Sequence, residues 1–415
     1  MLILFSRGFA TILPVIAIAL LVKQGARAQS SGAGQEDTYR AITTAVPFLT
    51  ITPDARAGGL GDAGTALSPD AQSIQYNIAK IAFADKPISA QLSYTPWLRN
   101  ITPDMFISML SGYYKIRKQD AVTFGFTYFN LGSITFTDNQ GGIVRDFNPQ
   151  EFSLNAGYSR QLTTNFSVGL GAKYIYSNLT GGYTNATNQQ ARPGQTVAVD
   201  LSGYYTRTLV LGGREGTLSF AASLNNFGPK ISYSNDSRQD PIPTLLRLGA
   251  NLGLELDPYN RINFVLDASK LAVPTPTRVN FVPTIDTGGS GTNNATLLGG
   301  FFSSFSDAPN GFKEELQEIM LGGGIEYRYN DLFALRGGYF HESANKGGRQ
   351  FFTAGVGVKY QQLGLDFSYL IPTTQGASNP LANTFRLTIA FDFNKGTSNN
   401  EAPAGTPGAE ESVTD

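Results

Sequence analysis

The chain of 415 residues carries 31 Lys plus Arg against 32 Asp plus Glu, so its charge balance gives no electrostatic reason to bind nucleic acid. It has no cysteine and one histidine, which excludes disulfides, thiolate metal sites and mechanisms that need two imidazoles. Only 15% of its residues are charged, against about 25% in a typical soluble domain. The composition therefore argues against a soluble enzyme, and no cofactor or metal site is predicted.

Residues 1–28 form a predicted signal peptide. Arg7 precedes an apolar run from Gly8 to Val22, and Ala26-Arg27-Ala28 has the small-x-small form of a cleavage site. A transmembrane anchor is the alternative, but the run is shorter than the roughly 20 residues of a spanning helix. No later apolar run approaches that length. An exported chain of this kind can occupy a membrane as a closed barrel, in which every backbone group pairs between strands.

Residues 29–85 precede the first predicted strand. They contain a glycine-rich stretch from Pro53 to Gly64 and are too long for a plain tail. We expect this N-terminal segment to fold into the mouth of the barrel as a plug, with a flexible periplasmic linker as the alternative. At the other end, residues 395–415 contain almost nothing apolar. Such a composition cannot bury enough surface to fold, so a disordered periplasmic tail is predicted.

Residues 86–394 show a repeated alternation of apolar and polar side chains. Phe352, Val356 and Val358 alternate with Thr353, Gly355 and Gly357, as the two faces of a strand require. About fourteen such segments occur, and short connections alternate with long ones, which is typical of outer-membrane barrels. The predicted fold class is an all-β membrane protein, a transmembrane antiparallel β-barrel. Both termini then lie on the periplasmic side, and the long loops are extracellular. The predicted strand starts are Ile88, Met105, Ala121, Glu151, Phe166, Gln195, Gly216, Thr244, Tyr259, Leu321, Asp331, Phe351, Leu363 and Ala382.

One long loop carries structure of its own. A short helix is predicted from Phe312 to Ile319, because acidic residues in its first turn suit the helix dipole and Phe312, Leu316 and Ile319 share one face. The apolar run from Leu297 to Phe305 precedes it. This run is either an exposed interaction site or a segment buried over the barrel rim.

No arrangement of residues predicts catalysis. The run from Gly58 to Gly64 lies outside any strand–helix–strand unit, so it does not indicate a dinucleotide site. His341 is interpreted as an ordinary loop histidine, although Glu342 and Ser343 follow it. Inward-facing charges are predicted to pair inside the lumen or to line a solute path; these are Lys173, Arg247, Glu255, Lys359, Arg386 and Asp392.

Several stretches together resemble the PorV family of type IX secretion outer-membrane proteins, which are similar to FadL-like barrels of fourteen strands. They are Ala45–Leu49 with Pro53–Asp62, Leu271–Pro276, Phe312–Leu316, and Phe333–Phe340 with Gly364–Leu370. The expected plug residues are Pro53, Asp54, Arg56, Gly58, Gly59 and Asn77. The family often has Asn-Pro-Ala where this chain has Asn77-Ile78-Ala79.

The resemblance implies an adaptor in the outer-membrane lipid that binds the C-terminal signal domains of secreted cargo. It would receive cargo beside a large translocon barrel and pass it to an attachment complex with a sortase-like protease. Two alternatives are a FadL-like channel for hydrophobic small molecules and a lipid-modifying enzyme. The candidate partner-binding residues are Trp97, Leu98, Phe147, Leu297, Leu298, Phe301, Phe302 and Phe305.

Overall fold

The computed structural model describes residues 41–99, 102–137, 140–182, 191–234, 239–275, 296–373 and 379–393. The predicted signal peptide, the first part of the N-terminal segment and the predicted tail lie outside these residues. Within the described ranges, no helix has both the length and the apolar content needed to cross a membrane.

Fourteen antiparallel strands form a closed barrel, which confirms the predicted fold class. The first and last strands close it, with Ile88 opposite Phe393. A separate two-stranded hairpin, β4–β5, stands outside the barrel sheet. The strands are β1 Ile88–Pro96, β2 Phe106–Lys115, β3 Asp120–Asn130, β4 Ile134–Thr137, β5 Ile143–Phe147, β6 Gln150–Gln161, β7 Phe166–Asn178, β8 Gly194–Leu211, β9 Arg214–Phe227, β10 Leu245–Glu255, β11 Asn260–Leu271, β12 Ile319–Tyr329, β13 Phe333–His341, β14 Gln350–Tyr360, β15 Leu363–Pro372 and β16 Phe385–Phe393.

The strand faces follow the alternation in the sequence. Phe352 and Val356 on β14 are exposed on the outside, whereas Thr353 between them is buried against the lumen. The same arrangement exposes Leu170 on β7 and Leu248 on β10. An apolar outer face and a small or polar inner face suit a barrel whose exterior is solvated by lipid. Each predicted strand start falls within three residues of the observed one.

The connections divide the barrel into two ends. Short turns join β2 to β3 and β8 to β9 at one end, and long connections join β1 to β2 and β11 to β12 at the other. The hairpin β4–β5 projects within the long connection between β3 and β6, where only a loop was predicted. Its strands begin at Ile134 and Ile143, and Gly141 between them has a φ of 82°, which favours glycine.

The described part of the N-terminal segment, residues 41–85, lies against the inner wall of the barrel and is called the plug below. It contains two 3-10 helices, η1 Pro47–Thr50 and η2 Ile78–Phe83, and two single-turn helices, α1 Ala55–Gly58 and α2 Ser73–Tyr76. At the long-connection end, Phe48 stacks on Phe129 with 6.2 Å between ring centroids.

The plug then reaches the opposite end of the barrel. Lys115, near the short turn after β2, donates through Nζ to the carbonyl oxygen of Ala84 at 2.7 Å. The strands of the barrel therefore begin and end at the short-turn end. The first described residues lie at the long-connection end, where the amide of Ala45 donates to the carbonyl oxygen of Pro241 at 2.9 Å.

Two helices lie on the rim at the long-connection end, α3 Leu297–Ser303 and α4 Phe312–Gln317. Thr296 caps α3 by accepting the amide of Gly299 at 3.1 Å. The predicted short helix is confirmed as α4, but it ends at Gln317, and Ile319, its predicted last residue, begins β12. The faces of α4 also lie opposite to what an amphipathic surface helix would show. Phe312 is 78% exposed, and Glu314 and Glu315 are buried.

Candidate functional site

Asp54 fixes the start of the plug's first helix. Its side chain accepts the amide of Ala57 at 2.8 Å, which caps α1, and the hydroxyl of Tyr76 donates to its other oxygen. Burial raises the pKa of Asp54, and burial also raises that of Tyr76 well above its ordinary value. Pro53, the residue before this cap, accepts a hydrogen bond through its carbonyl from Thr95 at 3.0 Å. The cap thus joins the two helical turns of the plug to strand β1.

Arg56 joins the plug to the opposite wall. Its guanidinium lies 2.9 Å from Asp70 within the plug and 3.4 Å from Glu326 on β12. Burial alone would lower the pKa of Arg56, but the carboxylates of Glu326 and Asp70 outweigh burial and raise it. Glu326 is fully buried and also receives Arg336 at 2.8 Å and Arg328 at 2.9 Å. Three guanidiniums therefore meet at one carboxylate.

The glycines of the plug allow its backbone to lie directly on the wall. A Cβ at Gly58 would lie 2.5 Å from Cδ of Arg386, and a Cβ at Gly59 would lie 3.3 Å from the Cα of Gly355. Arg386 in turn donates to the carbonyl of Thr52 at 3.0 Å, so the guanidinium and the plug backbone share one narrow space. The glycine-rich sequence is explained by this close approach.

Asn77 joins the second half of the plug to the wall. It donates to the carbonyl oxygens of Gly203 at 2.9 Å and Ala222 at 3.3 Å, and it accepts the amide of Lys80 at 3.3 Å to cap η2. Ile78 occupies the first position of that helix, where proline is also tolerated, and packs with Met109. The departure from Asn-Pro-Ala therefore leaves the cap intact.

Lys80 is buried in the plug, and its Nζ donates to the carbonyl of Gly64 at 2.7 Å. Burial lowers the pKa of Lys80 to about 8.

Most of the inward-facing charges pair as predicted. Lys173 lies 3.2 Å from Asp200, Lys359 lies 2.5 Å from Asp392, and Arg386 lies 3.0 Å from Asp62. Glu255 and Arg247 do not form the predicted ion pairs inside the lumen.

Glu255 pairs with Arg261 at 2.5 Å in an exposed position at the short-turn end. Arg247 instead lies over the ring of Tyr76, 5.3 Å from its centroid. Of the predicted lumen charges, Arg247 and Arg386 therefore contact the plug, whereas Lys173 and Lys359 pair with other residues of the wall.

An apolar cavity of about 220 Å³ opens at the long-connection end. Leu297 and Phe301 of α3 line one side, and Phe227, Ile242 and Val273 line the others. The cavity and α3 bring together five of the eight predicted partner-binding residues. Leu297 and Phe301 line the cavity, and the exposed members are Leu297, Leu298, Phe302 and Phe305.

The other three predicted partner-binding residues have separate surroundings. Trp97 packs against the cluster that contains Phe48 at the mouth of the lumen. Leu98 is half-buried with a positive φ of 48°. Phe147 lies on β5, where its ring contacts that of Phe136 at 6.5 Å. The structure therefore does not bring all eight residues into one surface.

A buried ion-pair cluster beneath α4 was not predicted. Lys270 of β11 lies 3.1 Å from Glu315 and pairs with Glu318. Lys346, in the connection after β13, lies 2.7 Å from Glu314 and 2.8 Å from Glu318. A sequence signal does exist, because Lys270 occupies an outward position on a strand whose other outward residues are mostly apolar.

His341 ends β13 and is half-buried, with its ring 6.4 Å from that of Tyr339. Glu342 pairs with Arg349 at 2.8 Å, so its carboxylate is directed to that guanidinium. Within the described ranges, no group of three or more His, Asp or Glu side chains could hold a metal ion.

Fourteen strands closed around a lumenal plug, with apolar side chains turned outward, define an outer-membrane β-barrel. The family model described as "Type IX secretion system protein PorV" matches residues 33–278. The chain belongs to the PorV family. No curated protein sequence matches it significantly.

Several solved structures are similar to the chain. A Pseudomonas aeruginosa FadL homologue is 12% identical, with 86% of this chain and 100% of that chain covered and a TM-score of 0.40. The Ralstonia pickettii toluene transporter TbuX is 10% identical, with 83% and 98% covered and a TM-score of 0.45. The P. putida toluene transporter TodX is 10% identical, with 82% and 98% covered and a TM-score of 0.44. At these identities the likeness does not extend to function.

Proposed function

We propose that this protein is the adaptor of a type IX secretion system that binds the C-terminal signal domains of cargo. It receives cargo beside the large translocon barrel and passes it to the surface attachment complex with its sortase-like protease. In this proposal the long-connection end faces the cell exterior and the short-turn end faces the periplasm. Membership of the PorV family is the observation that carries the proposal.

Two observations favour cargo binding at the long-connection end of the barrel. Plug residues such as Leu60, Ile74 and Ile81 are fully buried, so the lumen is filled by the chain itself. The apolar cavity beside Leu297 and Phe301 can receive an apolar side chain of a docked domain. The site of cargo binding is therefore the rim around this cavity.

Binding of a purified cargo C-terminal domain to the full chain in lipid nanodiscs tests this site. We expect Leu297→Glu to weaken binding at least tenfold, about 1.4 kcal/mol, because it places a charge at the cavity entrance. Leu211→Glu is the matched control, since Leu211 is an exposed leucine at the short-turn end. Deletion of residues 297–305 should weaken binding further, and unchanged binding would remove α3 from the site.

Affinity purification from native membranes tests the assignment to the secretion machinery. We expect a very large barrel to co-purify, together with proteins that share one C-terminal domain. The apolar cavity also favours a second function, a channel for hydrophobic small molecules. A deletion strain with normal uptake of such molecules and blocked secretion would exclude the channel, and the reverse result would exclude the adaptor.

A further inference from the structure

Aromatic side chains form a belt around most of the outer wall at the long-connection end. On one side Tyr94 contacts Phe106 at 5.4 Å, and further round the wall Phe152 contacts Tyr176 at 4.9 Å. Beyond the closure of the barrel the belt includes the rings of Tyr339, Phe352, Phe367, Tyr369 and Phe385. Outer-membrane barrels carry such aromatic residues where the wall meets the boundary between acyl chains and headgroups.

The belt is interrupted across five neighbouring strands, β8 to β12, where among the described residues only Phe227, at the rim end of β9, is an outward aromatic residue at this level. Besides Phe227, the outward positions at the long-connection end of these strands are Val197, Leu224, Leu246, Lys270 and Ile319. None of these described residues is aromatic, and one is a lysine. Apart from Phe227, the wall of this sector therefore lacks the aromatic residues that mark the membrane interface elsewhere.

Helices α3 and α4 lie against the outer side of the same sector. Phe227, which pairs with the outward-facing Val199, contacts the ring of Phe301 at 5.8 Å in an edge-on arrangement. Lys270 also points outward, and its ammonium lies 5.8 Å from the centroid of Phe305. These contacts place α3 outside the wall, at the level where the belt is interrupted. The ion pair of Glu315 with the outward-facing Lys270 places α4 outside the wall as well.

The helices turn apolar side chains away from the wall. The exposed fractions are 59% for Leu298, 67% for Phe302, 78% for Phe312 and 52% for Leu316. The acidic residues of α4 are buried in the ion pairs with Lys270 and Lys346, so Lys313 is the one fully exposed charge on these two described helices. An apolar surface with an exposed lysine suits a boundary of acyl chains and anionic headgroups.

We propose that α3 and α4 form an interfacial lipid-binding element that completes the aromatic belt over β9 to β12. Its occupant is the headgroup–acyl boundary of the leaflet on the long-connection side. The belt resumes at Tyr339 on the adjacent β13 and at Tyr176 on β7, one strand away, which favours lipid over a protein partner at the surface formed by Leu298, Phe302, Phe312 and Leu316. The cavity lined by Leu297 and Phe301 is a separate surface, so this inference does not depend on the proposed binding of cargo.

Quenching of tryptophan fluorescence by brominated phospholipids tests the proposal on the purified full chain in liposomes. Trp97 is the one tryptophan, so Trp97→Phe gives a background without the natural fluorophore. Phe302→Trp and Phe312→Trp then report on α3 and α4. Phe352→Trp in the belt is the positive control. Ile143→Trp on β5, at a position that is 76% exposed, is the control for the aqueous side of the same end.

We expect lipids brominated near the headgroup to quench Phe302→Trp and Phe312→Trp within about twofold of Phe352→Trp, because all three lie at one depth. Ile143→Trp should remain unquenched. Quenching at positions 302 and 312 that equals that of Ile143→Trp would overturn the proposal and assign this surface to a protein partner. Quenching at position 302 alone would overturn it for α4. Cargo is absent from the measurement, so its failure and the failure of the adaptor proposal are distinguishable.

Discussion

The plug and the rim helices both depend on buried ion pairs, but with opposite effects on apolar surface. In the plug, Arg56 and Glu326 hold a segment whose apolar residues are buried as well. On the rim, Lys270 and Lys346 bury the carboxylates of α4 and leave Phe312 exposed. Buried charge thus holds the plug inside the barrel, whereas on the rim it orients an apolar surface outward. Four changes test this difference.

The largest effect is expected at Glu326. Glu326→Gln leaves Arg56, Arg328 and Arg336 without their shared carboxylate in a fully buried position. Loss of one partner of a buried pair costs about 3–5 kcal/mol, because the remaining charge stays desolvated. Urea unfolding of the barrel in detergent measures the change.

Glu255→Gln is the matched control for this substitution. Glu255 pairs with Arg261, and both side chains are nearly half exposed. Exposed pairs contribute at most about 1 kcal/mol, so this variant should unfold close to the wild type. Equal midpoints for the two variants would show that the contacts of Glu326 do not hold the plug.

The next effect is expected at Gly61, where the plug backbone touches the wall. Gly61 has a φ of 67°, and a Cβ there would lie 2.8 Å from the carbonyl oxygen of Gly323 and closer still to that of Tyr339. Gly61→Ala should destabilise the barrel by about 2–4 kcal/mol, from backbone strain together with overpacking.

Gly59→Ala serves as the comparison for Gly61→Ala. Gly59 has a negative φ of −75°, and its nearest contacts to a Cβ are at 3.3 Å. Gly59→Ala should therefore lower the free energy of unfolding less than Gly61→Ala does in the same assay. A larger loss at Gly59 would mean that the wall relaxes around Gly61 and that the close approach there does not limit the packing of the plug.

The barrel could be predicted from the sequence because each strand carries its own evidence. Phe352, Thr353 and Val356 alternate regardless of what lies next to them, and the outward face needs no specific partner. The hairpin β4–β5 was missed since its strands are only four and five residues long. Such short segments show too few alternations to be separated from a loop.

The orientation of α4 could not be predicted for a different reason. The pattern of Phe312 and Leu316 indicates an apolar face that packs on the protein. The structure reverses this orientation because Glu315 pairs with Lys270 and Glu314 pairs with Lys346. The two partners are 45 residues apart in the first pair and 32 residues apart in the second. The outward lysine on an apolar strand face signals that Lys270 has a partner, but with partners so distant no local pattern shows which acids it meets. The plug contacts of Arg56 with Glu326 are unpredictable on the same grounds, as 270 residues separate them.

A smaller and more local effect is expected at Glu318 on the rim. Glu318→Gln removes the carboxylate that Lys270 and Lys346 share. We expect about 2 kcal/mol of local destabilisation, because hydrogen bonds to charged groups contribute about 1.5–3 kcal/mol each and the other acids remain as partners. We expect faster proteolysis within α4 at an unchanged unfolding midpoint of the barrel. A lowered midpoint would show instead that the ion-pair cluster stabilises the whole barrel.

The smallest effect is the pH dependence that Lys80 contributes to the plug. Burial lowers its pKa from 10.5 to about 8, so between these values the unfolded chain binds more protons than the folded one. Stability must therefore rise with pH in this window, as the buried ammonium loses its charge. The difference in unfolding free energy between the wild type and Lys80→Met should increase by about 1 kcal/mol from pH 7.5 to pH 9. Because the two proteins share all their other titrating groups, the difference between their unfolding free energies cancels the contributions of those groups. A difference that stays constant with pH would mean that Lys80 keeps its ordinary pKa and that its charge is solvated inside the plug.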